Sequence, residues 1–204
     1  MNRWISKHRK ISDNFSIRQE MLTSLGVIIS GTIFGIIAKA TDSTTLIGDI
    51  GTDLSIWVLL GTVIAAYSHQ PISAGINTML FFLGLLAGYY TYGQFMLNFF
   101  PTSYFFGWFV VALVSLPCGF VIWFSRSSDL LGAIITALPA GIIFAWSYPA
   151  FYTYNIVLIL GVVYGILLCA LLPHGWKMKC AAIVLSLAVA FIIESLNLLS
   201  MLPF

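Results

Sequence analysis

Charge is what this chain has least of. Nine Lys and Arg and seven Asp and Glu stand among 204 residues, of which 60% are hydrophobic, so no water-facing shell can be assembled around a soluble core. Cysteine is sparse as well. Cys118, Cys169 and Cys180 are odd in number and fall in or beside apolar runs, which excludes a disulfide framework and leaves an inert thiol as the ordinary state, with acylation of Cys180 beside Lys179 as the alternative. His8, His69 and His174 are dispersed, and no zinc spacing results. Missing too are a G-x-S-x-G elbow, an H-E-x-x-H pair and a G-x-x-x-x-G-K-[ST] loop, so no activated serine, metal-bound water or phosphate cradle is available. No catalytic, cofactor-binding or metal-binding residue is assigned, and an enzyme is not expected. Nucleic acid is set aside, because the basic residues form a short arm and a few loop positions with no soluble module to hold bases.

What remains is apolar helix. Seven stretches, at 22–40, 54–68, 72–92, 104–124, 130–149, 154–172 and 181–199, approach the length of about 17 to 25 residues that crosses a bilayer. The second and third together are roughly twice what a bilayer takes even with tilt, so Ser68-His69-Gln70-Pro71 is the turn of a helical hairpin. The expected fold is therefore an all-α integral membrane bundle of about seven helices, with residues 1–20 a basic arm and 21–204 one transmembrane domain.

Basic residues orient it. With the N-terminus cytoplasmic, Arg3, Lys7, Arg9, Lys10, Arg18, Arg126, Lys177 and Lys179 all lie inside, and Lys39 alone lies outside with the C-terminus, as the positive-inside rule requires. Asp42, Asp49 and Asp53 fall in the outer loop after span one, where Asp53 is placed to cap span two rather than to do acid–base work. Ser68 is placed to cap span three, with Pro71 in its first turn. The arm carries Trp4, Ile5, His8, Ile11 and Phe15 near helical spacing among its basic residues, a pattern suited to an interfacial helix on anionic lipid; a solvated basic tail is the alternative. Ser16 to Gln19 fits a capping box at the start of span one. The basic stretch before span one is too long for a signal peptide and the span itself is of full crossing length, so cleavage is not expected.

Inside the spans, Gly31 and Gly35, Gly84 and Gly88, and Gly161 and Gly165 each form a G-x-x-x-G face, and Ala133, Ala137 and Gly141 repeat the spacing. Such faces let helix backbones approach within one chain, and they equally suit an oligomer. Pro117 and Pro139 lie within spans, where each removes a backbone donor, so a kink or break is expected at both. The polar candidates for a pathway are Asn77, Thr136, Glu194 and Lys39. Glu194 is the acid set well into an apolar run, and its two readings are a functional carboxylate or a structural one that reaches the interface or pairs with Lys39.

Leu25-Gly26-x-Ile28-Ile29-Ser30 recurs as Leu131-Gly132-x-Ile134-Ile135-Thr136, which would suit two parallel three-helix units joined by span four. Around the second hairpin, the run from Ala65 to Asn77, then Phe81-Phe82-Leu83-Gly84, Gly88-Tyr89-Tyr90 and Phe100-Pro101-x-Ser103-Tyr104 resembles a family of small multi-pass membrane proteins of low-GC Gram-positive bacteria, to which no activity is assigned. That resemblance implies a bacterial plasma membrane and one helical domain. Tyr89, Tyr90, Tyr92, Phe95, Phe99, Phe100 and Tyr104, with Trp146, Tyr148, Phe151, Tyr152 and Tyr154, make an aromatic outer rim, read either as a headgroup belt or as a ligand vestibule. Two function classes follow: a small-molecule permease or membrane-embedded transporter subunit, and an accessory protein packing on another membrane complex.

Overall fold

The computed structural model of the protein describes Arg9 and residues 16–42, 45–98 and 100–198, and every regular element among them is helical. In chain order these are α1 (Ile17–Thr41), α2 (Thr45–Thr52), α3 (Leu54–Tyr67), α4 (Pro71–Leu97), α5 (Thr102–Ile122), a 3₁₀ turn (Trp123–Arg126), α6 (Leu130–Ser147), α7 (Ala150–Thr153), α8 (Ile156–Leu171) and α9 (Trp176–Ser195). The interfacial helix expected around Trp4 to Phe15 lies outside the described residues, Arg9 excepted.

Five of the described helical stretches are long and apolar enough to cross a membrane, or six when α2 and α3 count as one bent span. Seven full-length spans are not reached, for two physical reasons. The span expected at 54–68 is the 14-residue α3, which gains crossing length by joining α2 across a 53° bend at Asp53. The span expected at 154–172 is the 16-residue α8, about 24 Å long at a rise of ~1.5 Å per residue, short of a hydrocarbon core of about 30 Å. The expected loop after span one is also largely helix, since α2 occupies 45–52.

Local signals set the helix ends. Ser16 N–H donates to Gln19 Oε1 at 3.0 Å, closing the box that starts α1. Asp53 caps α3 by accepting from Ser55 N–H at 2.8 Å. Ser68 does not cap α4. Its hydroxyl turns back to donate to Ile64 O at 2.8 Å as the C-cap of α3, and Gln70 takes the N-cap position ahead of Pro71. The turn is so tight that Ser68 still belongs to the helix it ends, where the Ile64 carbonyl is one of the orphans. Of the kink or break expected at each proline, the break does not occur: α5 continues through Pro117 and α6 through Pro139, the first exposed and the second buried.

Glycine faces carry the closest packing. A Cβ at Gly31 or Gly35 would run into the carbonyl oxygen of Phe81 or Leu85 on α4, and one at Gly84 or Gly88 into that of Ile28 or Thr32 on α1. The two faces are thus each other's partners, on helices that run in the same direction. Gly161 and Gly165 on α8 meet Ser147 and Phe144 of α6, while Gly141 of α6 meets Ser186 and Val189 of α9. Ala133 and Ala137 are buried to 0% and 1% exposure, so the fourth small-residue face is also spent inside the chain. As for the internal repeat, α1 with α4 and α6 with α9 are both extensive pairs, yet α3 packs on α4 whereas α8 packs on α6. The halves correspond in one helix pair and differ in the other.

Candidate binding cavity at the Lys39 end

The bend at Asp53 leaves room beside it. Gly51 and Thr52 at the end of α2, Trp57 on α3, Lys39 on α1, Phe82 to Gly93 on α4 and Pro101 to Val111 at the start of α5 line a cavity of about 300 Å³. Along α4 it reaches about 16 Å from Gly93 down to Phe82, at ~1.5 Å per residue, close to half the depth of the bundle. Its walls are rings: Trp57, Phe82, Tyr89, Tyr90, Tyr104 and Trp108. Tyr90 packs edge-on against Phe105 at 5.2 Å and tilted against Phe100 at 5.4 Å between centroids, which fixes the upper wall.

Charge enters this apolar chamber at one point. Lys39 Nζ pairs with Asp42 Oδ2 at 2.6 Å and sits 5.0 Å above the Tyr89 ring, whose hydroxyl donates to the same Asp42 oxygen at 3.5 Å. The ammonium has three donors, of which Asp42 takes one and the Tyr89 hydroxyl engages another, which leaves one for a ligand. Asp42 is the more exposed of the pair, at 37% against 13%. Asp53, by contrast, is committed to structure: besides capping α3 it accepts from Trp146 Nε1 at 2.7 Å, tying the bend to α6.

Beneath the cavity the bundle is filled. Phe82 forms the floor, its ring lying where a Cβ on Gly61 of α3 would be. Below it α4 and α5 close on each other, with Gly75 against Leu116 O and Gly119 against Ala74 O and Thr78 Oγ1. At the Arg126 end Trp123 is 0% exposed and donates its indole N–H to Ser68 O at 2.9 Å. Ser68 Oγ also accepts from Asn77 Nδ2 at 3.3 Å, and Asn77 Oδ1 accepts from Ser24 Oγ at 2.7 Å.

The sequence candidates therefore scatter. Lys39 lines the cavity. Asn77, 4% exposed, is engaged at both ends of its amide in the closed half. Thr136 is fully buried and donates to Gly132 O at 2.8 Å, with Ser125 O at 3.4 Å, fastening α6 to the 3₁₀ turn. Glu194 is exposed near the end of α9, a helix packed on α6 and α8, while the cation it was weighed against is paired with Asp42. Trp57, Phe82 and Trp108 were not among the sequence candidates; the one signal for them was the density of aromatics around the second hairpin. No group of three or more His, Cys, Asp or Glu side chains placed to hold a metal occurs among the described residues. No protein-family model, curated protein or solved structure matches this chain.

Proposed function

We propose that the protein is a seven-span permease, or the membrane-embedded binding subunit of a transporter, in a bacterial plasma membrane, with the Lys39 end outside and the N-terminus in the cytoplasm. In this reading the bent α2–α3 pair and the short α8 each serve as a span, α8 crossing where the surrounding helices thin the bilayer. The observation that carries the proposal is the cavity itself, roomy, ring-lined and opened at a helix discontinuity, which is where membrane transporters place their sites. Its chemistry suits a small flat molecule with an apolar or aromatic body and one anionic group, the body stacked among Trp57, Tyr90 and Trp108 and the anion on Lys39.

The accessory-protein reading, motivated by short loops and scarce intramembrane charge, packs the chain on another complex through its glycine faces. Those faces are occupied inside the chain, which favours the permease reading. A panel of aromatic carboxylates, beginning with benzoate and nicotinate, tests the proposal by thermal stabilisation of the purified protein. At least one member should raise Tm by several degrees, and Val111→Trp, which fills the cavity, and Lys39→Met should each abolish the shift. Stabilisation that survives both substitutions would place the ligand elsewhere, and a panel with no effect would remove the ligand class.

A further inference from the structure

At the Arg126 end, two guanidinium groups from segments far apart in the chain arrive at one place. Arg9 lies 4.2 Å over the Trp123 ring, and Arg126 lies 4.3 Å over the Tyr67 ring. Arg9 spends one of its five N–H donors on Trp123 O at 2.5 Å, the first carbonyl of the 3₁₀ turn. The Nε of Arg126 is buried without an acceptor. No carboxylate among the described residues lies within salt-bridge distance of either group; the ion pair found is Lys39 with Asp42 at the other end.

Two like charges brought together and partly desolvated oppose each other unless an anion joins them. The strain is visible in Arg9, whose pKa is lowered to about 10 by burial first and by the charge of Arg126 second. A buried donor with no acceptor adds to the cost. Both groups are planar forks, already held flat on aromatic rings, and a tetrahedral oxyanion offers oxygens to two forks at once. The surroundings favour a lipid source: Ile72 and Leu130, which flank the site in sequence, are 56% and 54% exposed, and Tyr67 is 50% exposed, so acyl chains have an apolar surface beside the charge.

We infer that Arg9 and Arg126, stacked on Trp123 and Tyr67, form a binding site for a phosphate group, that of an anionic phospholipid headgroup, which holds Arg9 at the closed end of the bundle. The site is independent of the cavity and of any substrate.

Native mass spectrometry of the full chain, extracted into detergent and supplied with phosphatidylglycerol, phosphatidylcholine or inorganic phosphate, tests this. Wild type should retain one phosphatidylglycerol beyond the number retained by Arg9→Gln with Arg126→Gln, and phosphatidylglycerol should raise its Tm while phosphatidylcholine does not. Arg9→Gln alone, which leaves every residue of the helices unchanged, serves if Arg126→Gln fails to fold, and should weaken retention several-fold. Arg126→Lys should restore it only in part, because an ammonium lacks the fork. Stabilisation by inorganic phosphate equal to that by phosphatidylglycerol would overturn the lipid as the source while keeping the phosphate site. Equal retention of phosphatidylglycerol by wild type and the variants, or no retention by either, would overturn the site.

Discussion

At the Lys39 end, Trp57, Tyr89, Tyr90 and Trp108 stand around a cavity of about 300 Å³, whereas at the Arg126 end Trp123 and Phe124 are packed to 0% and 3% exposure. Aromatic residues are plentiful at both. The difference lies in what separates α4 from α5. Near the Arg126 end Gly75 and Gly119 let the two backbones touch, and the rings pack into the small remaining space. Near the Lys39 end Tyr90 meets Phe100 and Phe105 side on, and rings on both helices hold them apart. On this account an antiparallel pair with small residues at one end and large ones at the other becomes a wedge, and the cavity at its wide end is also lined by α2 and α3 on either side of their bend. Aromatic content alone does not make a site; the spacing of glycine does.

Breaking the filled end should have the largest effect. Trp123→Ala removes a fully buried indole and its bond to Ser68 O and is expected to cost about 3 to 5 kcal/mol, read as a fall in Tm and in the denaturant midpoint. Gly75→Leu should follow, at about 1 to 3 kcal/mol from overpacking, since its side chain must displace the Leu116 carbonyl. If the wedge account holds, it also admits solvent reagents at the Arg126 end; Gly26→Leu, with nothing near its Cβ position, should do neither. At the hollow end, Asp53→Ala loses the cap on α3 and the Trp146 bond and should cost about 1 to 2 kcal/mol, with the fluorescence of Trp146 changing. Lys39→Met is the smallest: it breaks a partly exposed ion pair worth at most about 1 kcal/mol. A loss from Lys39→Met as large as that from Trp123→Ala would show that Lys39 holds the fold together rather than serving a ligand.

How far the sequence foretold this varies with the physics. Helix class was legible because apolar runs leave no alternative, and the capping residues Ser16 and Asp53 announced their helix starts. The bend at Asp53 was not, since Thr45–Thr52 is short, rich in Gly and Thr, and helical only where it leans on the end of α1, with Gly48 against Thr41 O. Pro117 and Pro139 looked like the breaks, yet both are absorbed within continuous helices. Lys39 was recognised as an isolated charge, but its partner Asp42 sits one helical turn onward, nearer than the distant Glu194 that it was weighed against. The cavity itself is a gap between five helices, and a gap has no residue of its own to announce it.

The contrast between a hollow and a filled end is tested most directly by thiol labelling from each face of the membrane. In a background with Cys118, Cys169 and Cys180 replaced, one cysteine is placed at Val111, on the cavity wall, and another at Ala65, 0% exposed beside Trp123. A membrane-impermeant maleimide should modify Val111→Cys from the Lys39 face alone and Ala65→Cys from neither face. Modification of Ala65→Cys from the Arg126 face, or a Val111→Cys that stays unmodified from both, would contradict the account.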